Sequence, residues 1–382
     1  MNYTHTHIEN LDVSLSCFSP DPASSSREIH AMIHVPSHIS LSSAIHRLGN
    51  VTSLLHDHLG EGAVLQFVRF MVSDATVGTA VIESGICAEA ARTVVIQPPL
   101  DGSAMSVWLV WLTDVKSSII GENLLLTSWN DLKILWQGDT SASQSSRGSG
   151  PLPETRSALL SLSSILESLG TTIPRACHRT WFMVHDIDHN YRGVVLGRNE
   201  VFERLGLTRH THFIASTGIG GSPVSPARSI VFNSYSVIGL DESCVTYLKA
   251  EGMMNNTMDY GVAFERGTLL RFPDRRKVLV SGTASIDHHG DILHEGDPVA
   301  QTGRMIANVD TLISEAGASR SDMCYAIVYL RNPSDYALVE PVIRREFPRV
   351  PVTFVHAPVC REGWLVEMEC SLLVSERPSL SH

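Results

Sequence analysis

Positive charge is scarce in this 382-residue sequence: 29 Lys and Arg stand against 40 Asp and Glu, a formal net charge of −11. A protein that coats duplex nucleic acid carries a basic surplus, so sequence-independent nucleic-acid binding is not expected. Paired cysteines are also missing. The seven, at positions 17, 87, 177, 244, 324, 360 and 370, form no C-x-x-C pair, which speaks against a disulfide framework and a structural zinc site. Reduced thiols in a cytoplasm fit this pattern. No uninterrupted apolar run reaches the roughly 18 residues of a spanning helix, and Met1 to Asn10 lack the basic-then-apolar layout of a signal peptide. A soluble, cytoplasmic chain without membrane partners is expected. There is no Walker loop and no Ser-His-Asp elbow, and Gly218, Gly220 and Gly221 do not have the G-x-G-x-x-G spacing of a dinucleotide fingerprint. No cofactor is expected. The histidine-rich stretches His185 to His189 and His288, His289 and His294 read as solvated turns, so no metal is expected either.

What is present is a globular composition, 43% apolar and 18% charged, and a weak internal repeat. Apolar, β-rich runs ending in polar turns occur at Gly62 to Asp74, Cys177 to Asp186 and Cys324 to Pro333. Each follows a segment with apolar residues spaced at three and four, the mark of an amphipathic helix: Ser43 to Leu59, Glu154 to Leu169 and Val299 to Ala316. Each is followed by further strands: 94–100 and 107–112, then 230–237, then 352–357 and 364–369. The pattern predicts three α+β modules, each a sheet with helices on one face, over residues 1–113, 114–240 and 241–376. Residues 377–382 form a tail. Residues 139–153, rich in Ser, Gly and Pro, read as a mobile loop.

Several segments resemble a known superfamily. Val280 to Ile286, His294 to Thr302 with Asn308, and Gly363 to Glu369 resemble a module of the Rid (YjgF-type) proteins. Arg179-Thr-Trp181, Ala215 to Gly220, Tyr260 with Phe264 to Gly267, and Val359 to Arg361 ahead of Glu367 are similar to the chorismatases. Phe-Glu-Arg-Gly stands here where that family usually has Phe-Ser-Arg followed by Ala or Gly. Rid proteins are trimers with clefts between neighbouring modules, so the resemblance implies an intramolecular pseudo-trimer, a monomer or small homo-oligomer. Chorismatases cleave the enolpyruvyl ether of chorismate and release pyruvate. The implied partner is therefore a small anionic substrate.

The residues support that chemistry independently at one point. Alternation along Trp364 to Glu369 puts Leu365, Glu367 and Glu369 on one face and Trp364, Val366 and Met368 on the other. A carboxyl in apolar surroundings tends to keep its proton, and a protonated acid is what enol-ether cleavage needs. Glu367 is the expected catalytic acid. The matching places in the other modules, near Val107 and Asn233, hold no carboxylate, so one catalytic cleft is expected. A dicarboxylate needs cations, and Arg recognises carboxylates in bidentate fashion. The expected substrate-binding residues are Arg266, Arg361, Arg179 and Arg198, with Tyr260 supplying a hydroxyl and Gly267 and Cys360 shaping the site. Within the resemblance, Gly267 with Cys360 goes with 3-hydroxybenzoate as product, against a dihydroxycyclohexadiene carboxylate when water attacks. Two other readings stand beside this one. A Rid-type imine deaminase relies on an Arg entering the last strand, where the third module has Val352 and the first has Arg92. A ligand-binding protein without catalysis is the other.

Overall fold

The protein is described by a computed structural model covering residues 1–21, 24–60, 62–139 and 148–376. Three six-stranded sheets share one strand order. The first contains β1 (Asn2–Ile8), β2 (Leu11–Phe18), β3 (Glu28–Pro36), β4 (Ala63–Val72), β5 (Ala91–Ile96) and β6 (Ser103–Thr113), arranged β1-β2-β3-β6-β4-β5. The second repeats it with β7 (Lys116–Gly121), β8 (Leu124–Trp129), β9 (Leu132–Gln137), β10 (Cys177–Val184), β11 (Ala215–Gly220) and β12 (Ile230–Ile238). The third uses β13 (Val245–Leu248), β14 (Gly267–Arg271), β15 (Arg275–Ala284), β16 (Met323–Leu330), β17 (Val352–His356) and β18 (Val366–Ser375). In each sheet only the edge pair, β4–β5, β10–β11 or β16–β17, is parallel. A crossover helix is therefore needed there, supplied by α2 (Ala75–Ser84), α5 (Ile187–Arg204) and α7 (Tyr336–Glu346). The longer helices α1 (Leu41–Leu59), α3 (Pro151–Ser168) and α6 (Pro298–Glu315) precede the central strands, and short α4 (Ile173–Ala176) leads into β10. These are three tandem α+β modules of one topology.

Local chemistry explains the helices. Ser40 caps α1 by accepting from the Ser43 N–H, Gly60 ends it at φ 89°, and Ala44, Leu48, Val51 and Leu55 form its buried stripe. Asp297 caps α6 and Pro298 opens it, the position where a missing N–H costs nothing.

The sheets bury both faces. In β6, Val107, Leu109 and Trp111 belong to the core under α1, while Trp108, Val110 and Leu112 belong to a second core shared between modules. There Phe67, Trp108, Trp136, Trp181 and Tyr325, drawn from three sheets, pack ring against ring at 4.2–6.4 Å. The sheets thus turn their helix-free faces toward one another, and the modules close into an internal pseudo-trimer.

Two expectations need correction. Asp139 is not part of a mobile loop, because Arg228 holds its carboxylate with two hydrogen bonds of 2.6 and 2.7 Å. Pro151 to Pro153 are the first turn of α3, and the middle of that stretch, 140–147, lies outside the described residues, as does the tail 377–382. The stretch Asp186 to His189 is the start of α5 rather than a free turn, and Asp188 pairs with Arg331 at 3.0 Å. Among the described residues no helix is long and apolar enough to cross a membrane, and no His, Cys, Asp and Glu cluster could hold a metal ion.

Candidate active site

The second and third modules meet along β11 and β15. Ser216 N–H donates to Ser281 Oγ at 2.9 Å, and Gly282 N–H donates to Thr217 Oγ1 at 3.0 Å. Next to this seam lies a cavity of about 280 Å³, at the small end of ligand pockets. Its walls come from α5 (Tyr191, Arg198), β11 (Ser216, Gly218), the segment leading into β14 (Tyr260, Phe264, Arg266), β15 (Gly282, Ala284) and the 359–364 loop with Glu367 of β18.

Glu367 is buried, 5% exposed, opposite Tyr329 in the β16–β18 ladder. A side chain on Gly282 would collide with its carboxyl, so the glycine makes the room in which the acid sits. No hydrogen bond to that carboxyl is found among the described residues. Burial pushes it up to about 8, Glu369 beside it adds to the rise, and Arg179 and Arg266 oppose it. At neutral pH it carries a proton.

Three arginines surround the acid. Arg198 is 2% exposed, stacks on Phe182, and keeps Nε and Nη2 without partners. Arg266 gives Nη2 to Asn255 at 3.0 and 3.2 Å and leaves Nε unpartnered. Arg361 lies between the rings of Tyr260 and Trp364, 4.4 and 4.7 Å from their centroids, with Nη1 donating to Gly290 O. Unpaired guanidinium donors in a buried cavity favour an anionic ligand that would satisfy them. Burial pushes the Cys360 thiol up to about 12, so it lines the site as a neutral group.

Arg331, at the end of β16, organises the loop that presents Cys360, Arg361 and Trp364. It donates to the carbonyls of Val359, Arg361 and Trp364 and forms a bidentate pair with Asp188 of the second module. Gln301 of α6 completes the clamp, giving Nε2 to Gly363 O and accepting from Leu365 N–H.

Of the residues expected from sequence, Glu367, Arg198, Arg266, Arg361, Tyr260 and Cys360 line the cavity, and Arg179 and Gly267 do not. Arg179 lies behind Glu367, 1% exposed, where Nη2 pairs with Glu369 at 2.9 Å and donates to Thr217 Oγ1 at 2.6 Å. Gly267 packs in the β14 hairpin, where a Cβ would sit 3.1 Å from Leu279 O and 3.2 Å from Leu248. Trp364 lines the cavity too, against the alternation expected from sequence, because residues 361–365 form a turn and strand geometry begins only at Val366. Glu265, the departure in Phe-Glu-Arg-Gly, points away and accepts from Phe213 N–H at 2.8 Å, tying the two modules together. Gly218 lines the cavity against the Tyr191 ring, whereas Gly220 and Gly221 allow close packing on Pro358 and Gln97.

The ladders also revise the matching positions. Glu367 aligns with Ser106, opposite Met71, and Val231, opposite Met183. These lie one and two residues from the expected places. Arg92 of the first module aligns with Ser216 and Val352 by the same registers.

Residues 273–374 match the family Endoribonuclease L-PSP. The third module is a Rid/YjgF (L-PSP) family domain. A stretch of 71 residues, 19% of this chain, is 34% identical to the 3-aminoacrylate deaminase RutC of Acinetobacter baylyi and spans 56% of that protein's length. Among solved structures the chain is similar to a crystal structure of chorismatase, at 17% identity and a TM-score of 0.63, over 90% of this chain and 98% of that one. The fold of all three Rid-like modules therefore recurs there. A YjgF/UK114 family member from Mycobacterium tuberculosis is 24% identical over 34% of this chain and 99% of its own, with a TM-score of 0.27.

Proposed function

We propose that this protein is a chorismatase-like enzyme that cleaves the enolpyruvyl ether of a small dicarboxylate such as chorismate, with Glu367 as general acid. The observation that carries the reading is a protonated, buried carboxyl facing a cavity ringed by Arg198, Arg266 and Arg361. The arginines bind and orient the two carboxylates. Glu367 then delivers its proton to the methylene carbon of the enol ether, and the C=C electrons form the new C–H bond. The resulting oxocarbenium ion loses its ring substituent in one of two ways. Either water adds to the cationic carbon and the hemiketal collapses to pyruvate and a dihydroxycyclohexadiene carboxylate, or the neighbouring ring hydroxyl displaces pyruvate to give an epoxide that collapses to 3-hydroxybenzoate. Cys360 remains a neutral thiol, and the carboxylate left on Glu367 takes the proton of the attacking water or ring hydroxyl, so the acid serves either route and does not assign the product. Gly267 is remote from the cavity and no longer contributes to that assignment.

Incubation of the purified protein with chorismate should release pyruvate. Glu367→Gln keeps the shape of the side chain but cannot donate an acidic proton, and should lower kcat by about 10²–10⁴. Equal pyruvate release by Glu367→Gln and wild type would refute the acid assignment.

A deaminase reading draws support from the partial likeness to RutC. The arginine that such chemistry relies on is Ser216 at this cavity, and Arg92 of the first module donates to Ile86 O. Ammonia release from an imino acid, without pyruvate release from chorismate, would favour it.

A further inference from the structure

Behind the cavity, two carboxylates on one strand face have opposite surroundings. Glu369 is fully buried and takes hydrogen bonds from every side: Arg179 Nη2 at 2.9 Å, Thr217 Oγ1 at 2.5 Å, Trp181 Nε1 at 2.9 and 3.0 Å, and Arg69 Nη1 at 3.4 Å. Arg69 also donates to Asn233 Oδ1 at 3.3 Å and stacks over Trp181. Four donor residues, two of them arginines, thus satisfy this one acid in a dry core. Glu367 has none of these contacts.

We propose that Glu369 is the positioning residue for the Glu367 acid: fixed as an anion by Arg69 of the first module and by Arg179, Trp181 and Thr217 of the second, it makes Glu367 the carboxyl that carries the transferable proton. Two carboxylates this close in a low-dielectric core do not both ionise readily, and the donors decide which one does. The inference rests on the reading of Glu367 as the acid. It gives the first module, which has no carboxylate at the matching position, a part in the chemistry through Arg69. The other groups facing the pair bear on the same balance. Arg179 and Arg266 favour the Glu367 anion, Tyr191 and Cys360 face it as neutral groups, and Arg198 and Arg361 line its cavity. Tyr325, Tyr329 and Cys370 face Glu369, all neutral at physiological pH.

The test is titration of carboxyl groups by infrared difference spectroscopy alongside the pH profile of pyruvate release. The protonated carboxyl band that disappears on raising the pH should be lost in Glu367→Gln; its persistence would assign the proton to Glu369 and overturn the proposal. In Glu369→Gln the Glu367 band should titrate at least about one pH unit lower, and the alkaline limb of kcat should move with it. The rate near pH 8 should then fall about fivefold or more and recover on acidification. A rate lowered equally at every pH, with the band unmoved, would mean Glu369 is merely structural. Should Glu369→Gln fail to fold because Arg69 loses its partner, the compensated pair Arg69→Met with Glu369→Gln carries the same expectation. The band is read without turnover, so absence of pyruvate release with the expected titration refutes the enol-ether reaction and leaves the division of labour between the carboxylates standing.

Discussion

A buried acid that keeps its proton has a thermodynamic signature as well as a catalytic one. The folded chain holds the Glu367 proton up to about 8, against an ordinary value of 4.5. Between those values the folded state binds more protons than the unfolded chain, so this group's contribution to stability falls as pH rises. Glu367→Gln removes the group and its cost. The variant should match wild type in thermal unfolding near pH 4.5 and exceed it near pH 8.5, by an amount on the order of a few kcal/mol. Equal melting temperatures at the alkaline end would show that Glu367 ionises freely. Arg198 invites a complementary test, because its Nε and Nη2 lack partners in the free protein. Arg198→Met should leave stability nearly unchanged and weaken binding of a dicarboxylate by about 1.5–3 kcal/mol, read by calorimetry on the inert Glu367→Gln background.

Elements place these residues, and the elements differ in how readable they are. The stripes of α1 and α6 are strongly periodic, and the central strands are long apolar runs, so both are visible in the sequence. The edge hairpins are not: β1 and β7 are largely exposed and mix polar with apolar residues, so neither period stands out. Helix α5, which carries Arg198 and Tyr191, is obscured by Gly193 and Gly197 in its interior. Their lack of a side chain is what lets α3 approach, since a Cβ would sit 2.7 Å from Pro151 and 2.7 Å from Leu152 O. Tyr191, Ser216 and Gly282 thus escaped sequence reasoning, because their roles depend on an inter-module seam. Arg331 escaped it too. Arg331→Met would release three loop carbonyls and leave Asp188 unpaired, loosening the turn that carries Arg361 and Trp364. KM should rise several-fold, while the alkaline limb of the pH profile, set by Glu367, stays in place. A shifted limb with unchanged KM would contradict that role.

At the scale of the molecule, three similar modules create three similar seams, and only one of them opens into this cavity. At the seam of the first and second modules, Gly138 is pressed against the backbone of Arg92 so closely that a Cβ would collide with it. Asp139 N–H donates to Arg92 O and to Thr93 Oγ1, while its carboxylate stays on Arg228. Gly138 and Asp139 fill the part of that seam that matches Ser281 and Gly282, while a separate hollow between α1 and β7 borders it. At the seam of the third and first modules, Leu100 and His356 exchange backbone bonds with Phe354 and Pro98. There Ser106, the counterpart of Glu367, shares His34 Nδ1 with Asp101. A serine and a histidine already engaged by Asp101 form no acid to match Glu367, and among the described residues no arginine trio converges there. On the proposed reading, the buried acid and its arginines therefore belong to one seam of the three. Titrating Glu367→Gln with chorismate in a calorimeter should give one binding site per chain, abolished by the further change Gly282→Leu, whose side chain would occupy the space of residue 367. A stoichiometry of three, or binding that survives Gly282→Leu in a folded protein, would place the ligand elsewhere.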